Sequence, residues 1–169
     1  MRNTVRSTGL GALMKGAGLL TRFIPIPQPT LLVGPGSSGR LGQAIAGFGH
    51  RKILIVTDSI ISKLGLLNGL TDALTAGGAE FVVFDEITPD APIPLVQKGI
   101  DFYKDQGCDA IVAFGGGSSM DASKAIAVAA NNPKPLNQLA GYLKGLRSPV
   151  KIYAVPTTAG TGSEVTVAA

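Results

Sequence analysis

The sequence has no tryptophan, one cysteine and one histidine in 169 residues. A lone Cys108 excludes an intrachain disulfide and a cysteine-based metal cluster, and it fits a reducing, intracellular setting. Standing just ahead of an apolar run, it reads as a buried structural thiol. A lone His50 excludes a histidine-rich metal site; placed before a strand, it reads as a surface turn residue. Residues 1–57 contain no acid and seven basic residues, whereas the remainder holds eight basic and eleven acidic ones. The net charge of +4 therefore belongs to the amino-terminal part. With no Lys/Arg cluster interleaved with aromatics, the charge distribution argues against a nucleic-acid partner. The apolar stretch near the amino terminus is short and broken by Lys15, which argues against a membrane span.

What is present is a globular composition, 45% hydrophobic and 15% charged, in a length that suits one domain with a real core. Residues 1–29 read as an extension ahead of an α/β domain at 30–169. Within the extension, Leu10, Leu13, Met14, Ala17, Leu20 and Ile24 share one helical face. Such a segment suits a helix packed on the body or on a second subunit. An Arg-bearing, acid-free segment also has the look of a mitochondrial matrix-targeting peptide.

Along the domain, continuous apolar runs alternate with helical patterns. Strands are expected at 30–33, 52–58, 79–84, 110–114 and 151–155. Helices are expected through Leu41, Ile45 and Phe48, with Ser37 or Ser38 as cap, at 66–76, at 95–106 and through 125–130. Unbroken apolar strands indicate a parallel sheet covered on both faces. The order predicts an α/β fold: a Rossmann-like parallel sheet with helices on both faces, binding its ligand at the carboxyl ends of the strands.

Two loops could cradle a phosphate. Gly34-Pro35-Gly36-Ser37-Ser38-Gly39 matches G-x-G-x-x-G, with Asp58 about 20 residues on, where a dinucleotide fingerprint wants a ribose-binding acid. Against it, the strand ahead is short and follows three alternating prolines, and Pro35 removes a donor. Gly115-Gly116-Gly117-Ser118-Ser119-Met120-Asp121 follows a central-looking strand, contains no proline and leads into a helix whose first N–H groups lack partners. It is the better pyrophosphate site. A turn with Ser118 as helix cap and Asp121 at the third helical position would be compatible with that role.

Continued to Ala122-Ser123-Lys124, this stretch resembles the GGGS-x-x-D-x-x-K motif of the iron-dependent (group III) alcohol dehydrogenases. Pro156-Thr157-Thr158-Ala159-Gly160-Thr161-Gly162-Ser163-Glu164-Val165-Thr166 resembles the same family's P-T-T-[AS]-G-T-[GA]-S-E-V-T stretch, and Val56-Thr57-Asp58 is similar to its first strand-to-helix turn. The resemblance covers about residues 30–169. It implies an oxidoreductase transferring hydride between a small alcohol or aldehyde and NAD. Gly115, Gly116, Gly117, Ser118, Ser119 and Asp121 would lie at the pyrophosphate, and Asp58 at the adenosine ribose. Asp90 would stand where the family often has an asparagine. Thr157, Thr158, Thr161 and Val165 would line the cleft. A carboxylate at Asp58 favours NAD over NADP.

The resemblance also implies Fe²⁺ or Zn²⁺, held by an Asp and three His of a helical domain lying after residue 169. No catalytic or metal-ligating residue is expected in this chain, which by itself is expected to be inactive. A cytoplasmic homo-oligomer is expected, with the mitochondrial matrix as the other location. Two further readings are a glycerol-dehydrogenase or dehydroquinate-synthase relative, against which the Thr157–Thr166 motif speaks, and a non-catalytic nucleotide-binding or oligomerisation module.

Overall fold

The apolar runs form parallel strands, and the side chains of those strands divide between two faces. The computed structural model describes residues 30–139, 147–160, 162 and 163. Among them are β1 (Lys52–Val56), β2 (Glu80–Phe84), β3 (Ala110–Gly115) and β4 (Lys151–Pro156). They make one sheet in the order β2-β1-β3-β4, every pair parallel. The helices are α1 (Ser37–Gly47), α2 (Ser59–Lys63), α3 (Asn68–Ala76), α4 (Ile93–Asp105), α5 (Gly117–Asn131) and the one-turn α6 (Leu136–Leu139).

Side chains alternate across a strand. Ile53 and Ile55 of β1, and Ala110, Val112 and Phe114 of β3, pack with Ile45 of α1, Ile61 of α2 and Leu70 and Leu74 of α3. Leu54, Val56 and Ile111 face the other way, onto Val96, Ile100 and Tyr103 of α4 and Ala122 and Ile126 of α5. Central strands buried on both sides have no polar face, which explains why β1 and β3 read as unbroken apolar runs. The crossover after β1 covers one face; those after β2 and β3 cover the other. The chain therefore turns to opposite faces between β1 and β3, and at such a point a crevice opens at the carboxyl edge.

Residues 30–33 do not form the expected strand. They lie outside the sheet, and Val33 is 83% exposed. Among the described residues this four-residue run has no neighbouring strand to complete a ladder. The loop at 34–39 consequently follows no strand; a Cβ on Gly39 would stand 3.2 Å from the Gly69 carbonyl, so the loop lies beside the start of α3. Arg40 donates to the carbonyls of Val33 at 2.8 Å and Pro35 at 3.0 Å, tying this loop to its own helix. Gly36 is the helix cap, and Ser37 and Ser38 lie inside α1 without a side-chain capping bond. Gly34 and Gly36 take positive φ (105° and 72°) with no neighbour crowding them, whereas Gly42 serves packing. A Cβ on Gly42 would stand 2.7 Å from the Leu70 carbonyl and 2.9 Å from Ala73 Cβ, so glycine lets α1 rest directly on α3.

Two helices appear where none was expected. Asp58 caps α2, accepting at Oδ1 from the N–H groups of Ile60 and Ile61, and the helix expected from residue 66 begins at Asn68. The short α6 follows the break after α5. Contacts divide the chain between Leu31 and Leu32; of the first unit only Thr30 and Leu31 are described, so the amino-terminal helix or targeting segment lies outside the described residues. Among those residues no helix is long and apolar enough to cross a membrane.

Candidate functional site

The carboxyl edge of the sheet gathers the ends of β1, β3 and β4. At β3 the backbone turns sharply into α5. Gly115 has φ +152°, and a Cβ there would stand 2.6 Å from Ser119 Oγ and 2.8 Å from Ser119 Cβ. Only glycine fits. A Cβ on Gly116 would stand 3.3 Å from Thr158 Oγ1 and Cγ2, so Thr158 lies against the glycine loop. The Thr157 N–H donates to the Gly115 carbonyl at 2.9 Å, which locks the β4 loop to the β3 loop.

Gly116 is the N-cap of α5 and provides no side-chain cap; the first turn contains no acid. Ser118 is therefore not the cap, and it stands inside the first turn. The Met120 N–H bonds to the Gly116 carbonyl at 3.0 Å. By helix geometry, the N–H groups of Gly117, Ser118 and Ser119 precede that bond and have no intrahelical acceptor. A helix of 15 residues thus presents donors and the positive end of its dipole to the crevice. Asp121, the nearest acid on the helix, faces Lys124 Nζ at 3.2 Å rather than capping. Ser119 and Ser123 are buried, and Ser123 Oγ donates to the Ser119 carbonyl.

The β1 end contributes Thr57 and Asp58. Thr57 extends the ladder: its N–H donates to the Phe84 carbonyl at 2.9 Å, and its carbonyl accepts from Ile87 at 3.2 Å. Both bonds of the Asp58 side chain fall on Oδ1, so the same carboxylate that caps α2 keeps Oδ2 without a bond among the described residues. In the loop after β2, Asp90 is exposed in a left-handed conformation (φ 63°), within a turn closed by Ala91 N–H on the Thr88 carbonyl. Pro89 suits the second position of such a turn, and Asp tolerates the third. The structure thus joins Gly115, Gly116, Thr157 and Thr158 directly. It sets Asp58 at a neighbouring strand end and Asp90 in the loop beyond β2. Thr161 and Val165 lie outside the described residues.

Residues 28–169 match the family model of iron-containing alcohol dehydrogenase. The chain belongs to that family. It is 36% identical over 144 residues to lactaldehyde reductase of Escherichia coli (strain K12), a match covering 84% of this chain and 38% of that protein. It is 36% identical over 144 residues to the NAD-dependent methanol dehydrogenase of Bacillus methanolicus, covering 85% and 37%. The solved structure of sulfoacetaldehyde reductase from Bifidobacterium kashiwanohense in complex with NAD⁺ superimposes with a TM-score of 0.70 at 28% identity, over 83% of this chain and 38% of that one. The chain therefore spans little more than a third of the length of these relatives.

The cradle fits a dinucleotide's pyrophosphate on the family's pattern: two glycines crowded against neighbours, three unbonded amides and no competing carboxylate in the first turn. The family's metal does not fit the described residues. No three of His, Cys, Asp or Glu are grouped among them so as to hold an ion. His50 stands at the opposite, amino-terminal edge of the sheet and is not the surface turn residue expected. It is half-buried, with Nε2 2.8 Å from the Tyr153 hydroxyl and Nδ1 3.6 Å from Asp109 Oδ1. Tyr153 also stacks on Phe48. Burial, reinforced by Asp109, raises the Tyr153 pKa above its ordinary value. Nearby Cys108 is buried, and that burial pushes its thiol up to about 11.

Thr57 was read in the sequence only as part of the Val56-Thr57-Asp58 turn, with no role of its own. Its signal was parity: it continues the inward series Ile53, Ile55 as a polar residue closing an apolar run.

Proposed function

We propose that this chain is the dinucleotide-binding portion of an iron-type alcohol dehydrogenase. The longer protein would transfer hydride between a small primary or secondary alcohol, or its aldehyde or ketone, and NAD. One observation carries the reading: the amino end of α5, free of acids and side-chain caps, opens where β3 turns on two glycines. The N–H groups of Gly117, Ser118 and Ser119 bind the pyrophosphate, with Gly115 and Gly116 allowing its close approach. Asp58 Oδ2 accepts from the adenosine ribose hydroxyls, and its charge repels a 2′-phosphate, so NAD is preferred to NADP. Asp90 offers a further acceptor at the rim, and Asp121 steadies the first turns of α5 through Lys124. Thr157 and Thr158 form the wall beside the glycine loop, and the family motif assigns Thr161 and Val165 to cofactor binding as well.

When bound, the dinucleotide supplies the hydride-accepting nicotinamide. The chain's own residues bind and orient it. With a single histidine in the sequence and no three candidate ligands grouped among the described residues, the 169-residue chain alone has no dehydrogenase activity. Its setting is the cytoplasm, as a homo-oligomer, with the mitochondrial matrix as the other location.

Titration of the chain with NADH and NADPH by nucleotide fluorescence tests this. NADH binds, NADPH binds more weakly, and Gly116→Val, which crowds Thr158, abolishes both. Equal or tighter NADPH binding would remove the role of Asp58. Oxidation of a simple alcohol by the chain with NAD and Fe²⁺ or Zn²⁺ would overturn the assignment of the chemistry to residues outside it.

A further inference from the structure

Thr57 Oγ1 is a buried side-chain polar atom without a hydrogen-bond partner, the single such atom among the described residues. The residue is wholly enclosed, and both of its backbone groups are bonded on the β2 side, to Phe84 and Ile87. A valine has the same shape and would leave no polar atom unsatisfied. An enclosed hydroxyl without a partner destabilises the state that contains it. The position is not arbitrary. The β1–β3 register ends at Val56 opposite Ala113, so Thr57 stands beside Phe114 and Gly115, where the glycine loop begins. By parity it faces the side of Ile61, whose Cδ1 would lie 3.4 Å from a Cβ on Gly115. The next residue is Asp58.

Resting on the dinucleotide reading above, we propose that the Thr57 hydroxyl is a positioning residue whose missing hydrogen bond is completed only when the dinucleotide binds in the β1–β3 crevice. An anion drawn onto the Gly117–Ser119 amides pulls on the start of α5. The β3 and β4 loops, tied by the Thr157 N–H on the Gly115 carbonyl, adjust together, and a water or a cofactor oxygen reaches Oγ1. The unliganded chain carries the unsatisfied group, and the liganded chain does not, so the hydroxyl favours binding without touching the cofactor in the present conformation.

The test is Thr57→Val and Thr57→Ser, each read by urea unfolding without nucleotide and by NADH titration. A residue that only packs would move stability and affinity together or leave affinity alone. The proposal requires opposite signs. Thr57→Val unfolds at a urea concentration no lower than the wild type, yet binds NADH roughly tenfold more weakly, the scale of one hydrogen bond. Thr57→Ser, which keeps the hydroxyl, restores wild-type affinity to within about twofold. A Thr57→Val chain that binds NADH as the wild type does overturns the proposal, as does one that fails to fold. Wild-type chain that binds no NADH sinks the dinucleotide reading itself, which the Thr57→Val comparison alone does not.

Discussion

Replacing Gly115 by alanine perturbs the point on which the cradle turns. Two costs can be separated. The first is steric: the new methyl would meet Ser119 Oγ at 2.6 Å and Ser119 Cβ at 2.8 Å, and Ser119 is 2% exposed at the start of a rigid helix. Overpacking of this kind costs about 1–3 kcal/mol. The second is conformational: φ +152° is a region that L-residues rarely adopt, and holding one there costs about 1–3 kcal/mol more. Their sum, about 2–6 kcal/mol, is a large share of the about 5–15 kcal/mol that stabilises an ordinary domain. Urea unfolding followed by circular dichroism measures it. A second substitution divides the two terms. Ser119→Gly in the Gly115→Ala background removes the contact and recovers about 1–3 kcal/mol, leaving the backbone strain in place. NADH affinity of the single variant falls more than about tenfold, because displacing the first turn of α5 moves the amides off the pyrophosphate. Gly115→Ala with wild-type stability and unchanged NADH affinity would refute the geometry at this turn.

Asp58 has two roles that one substitution separates: Asp58→Ser keeps a capping oxygen for Ile60 and Ile61 and loses the charge, so stability changes by less than about 0.5 kcal/mol while the NADH preference over NADPH shrinks. Asp58→Ala loses the cap as well, at about 1 kcal/mol in unfolding free energy. Burial raises the Cys108 pKa to about 11 and the Tyr103 pKa to about 12, so both groups favour the folded state while neutral. For Cys108 the contribution is complete below pH 9, its ordinary value, and is lost as pH rises towards 11. Unfolding measured from pH 8 to 11 therefore shows a decline of about 2–3 kcal/mol from this thiol, absent in Cys108→Ala, whose stability at pH 8 is already lower. Tyr153→Phe retains the stack on Phe48 and removes the hydroxyl on His50, costing about 0.5–1.5 kcal/mol in unfolding free energy; a neutral result would mean that this tie across the amino-terminal edge contributes nothing.

The relation of these residues to the chain explains what could be read early. The apolar runs at 52–56 and 110–114 announced buried parallel strands because both faces of a central strand are covered. The glycines at 115–117 announced a sharp strand-to-helix turn because the requirement is local: a backbone with no Cβ, followed by a helix. Residues 30–33 misled for the converse reason. A strand exists through its neighbour, and no propensity within four residues supplies one. Without that strand, the loop at 34–39, already the weaker of the two candidate cradles, lacks the strand ahead of it that a dinucleotide fingerprint wants. Within it, Gly39 answers to α3 across a helix contact.

What the sequence determined by itself was the set of short-range requirements: where apolar periodicity changes, where glycine alone can turn, and which motifs mark the family. The tertiary structure alone decided the rest. It gave Asp58 a cap to hold, took the cap from Ser118, brought Tyr153 to His50 across 103 residues and enclosed the Thr57 hydroxyl without a partner. Those outcomes depend on which groups meet once the sheet has assembled, and a hydrogen bond or its absence between distant residues has no signature in the local chain.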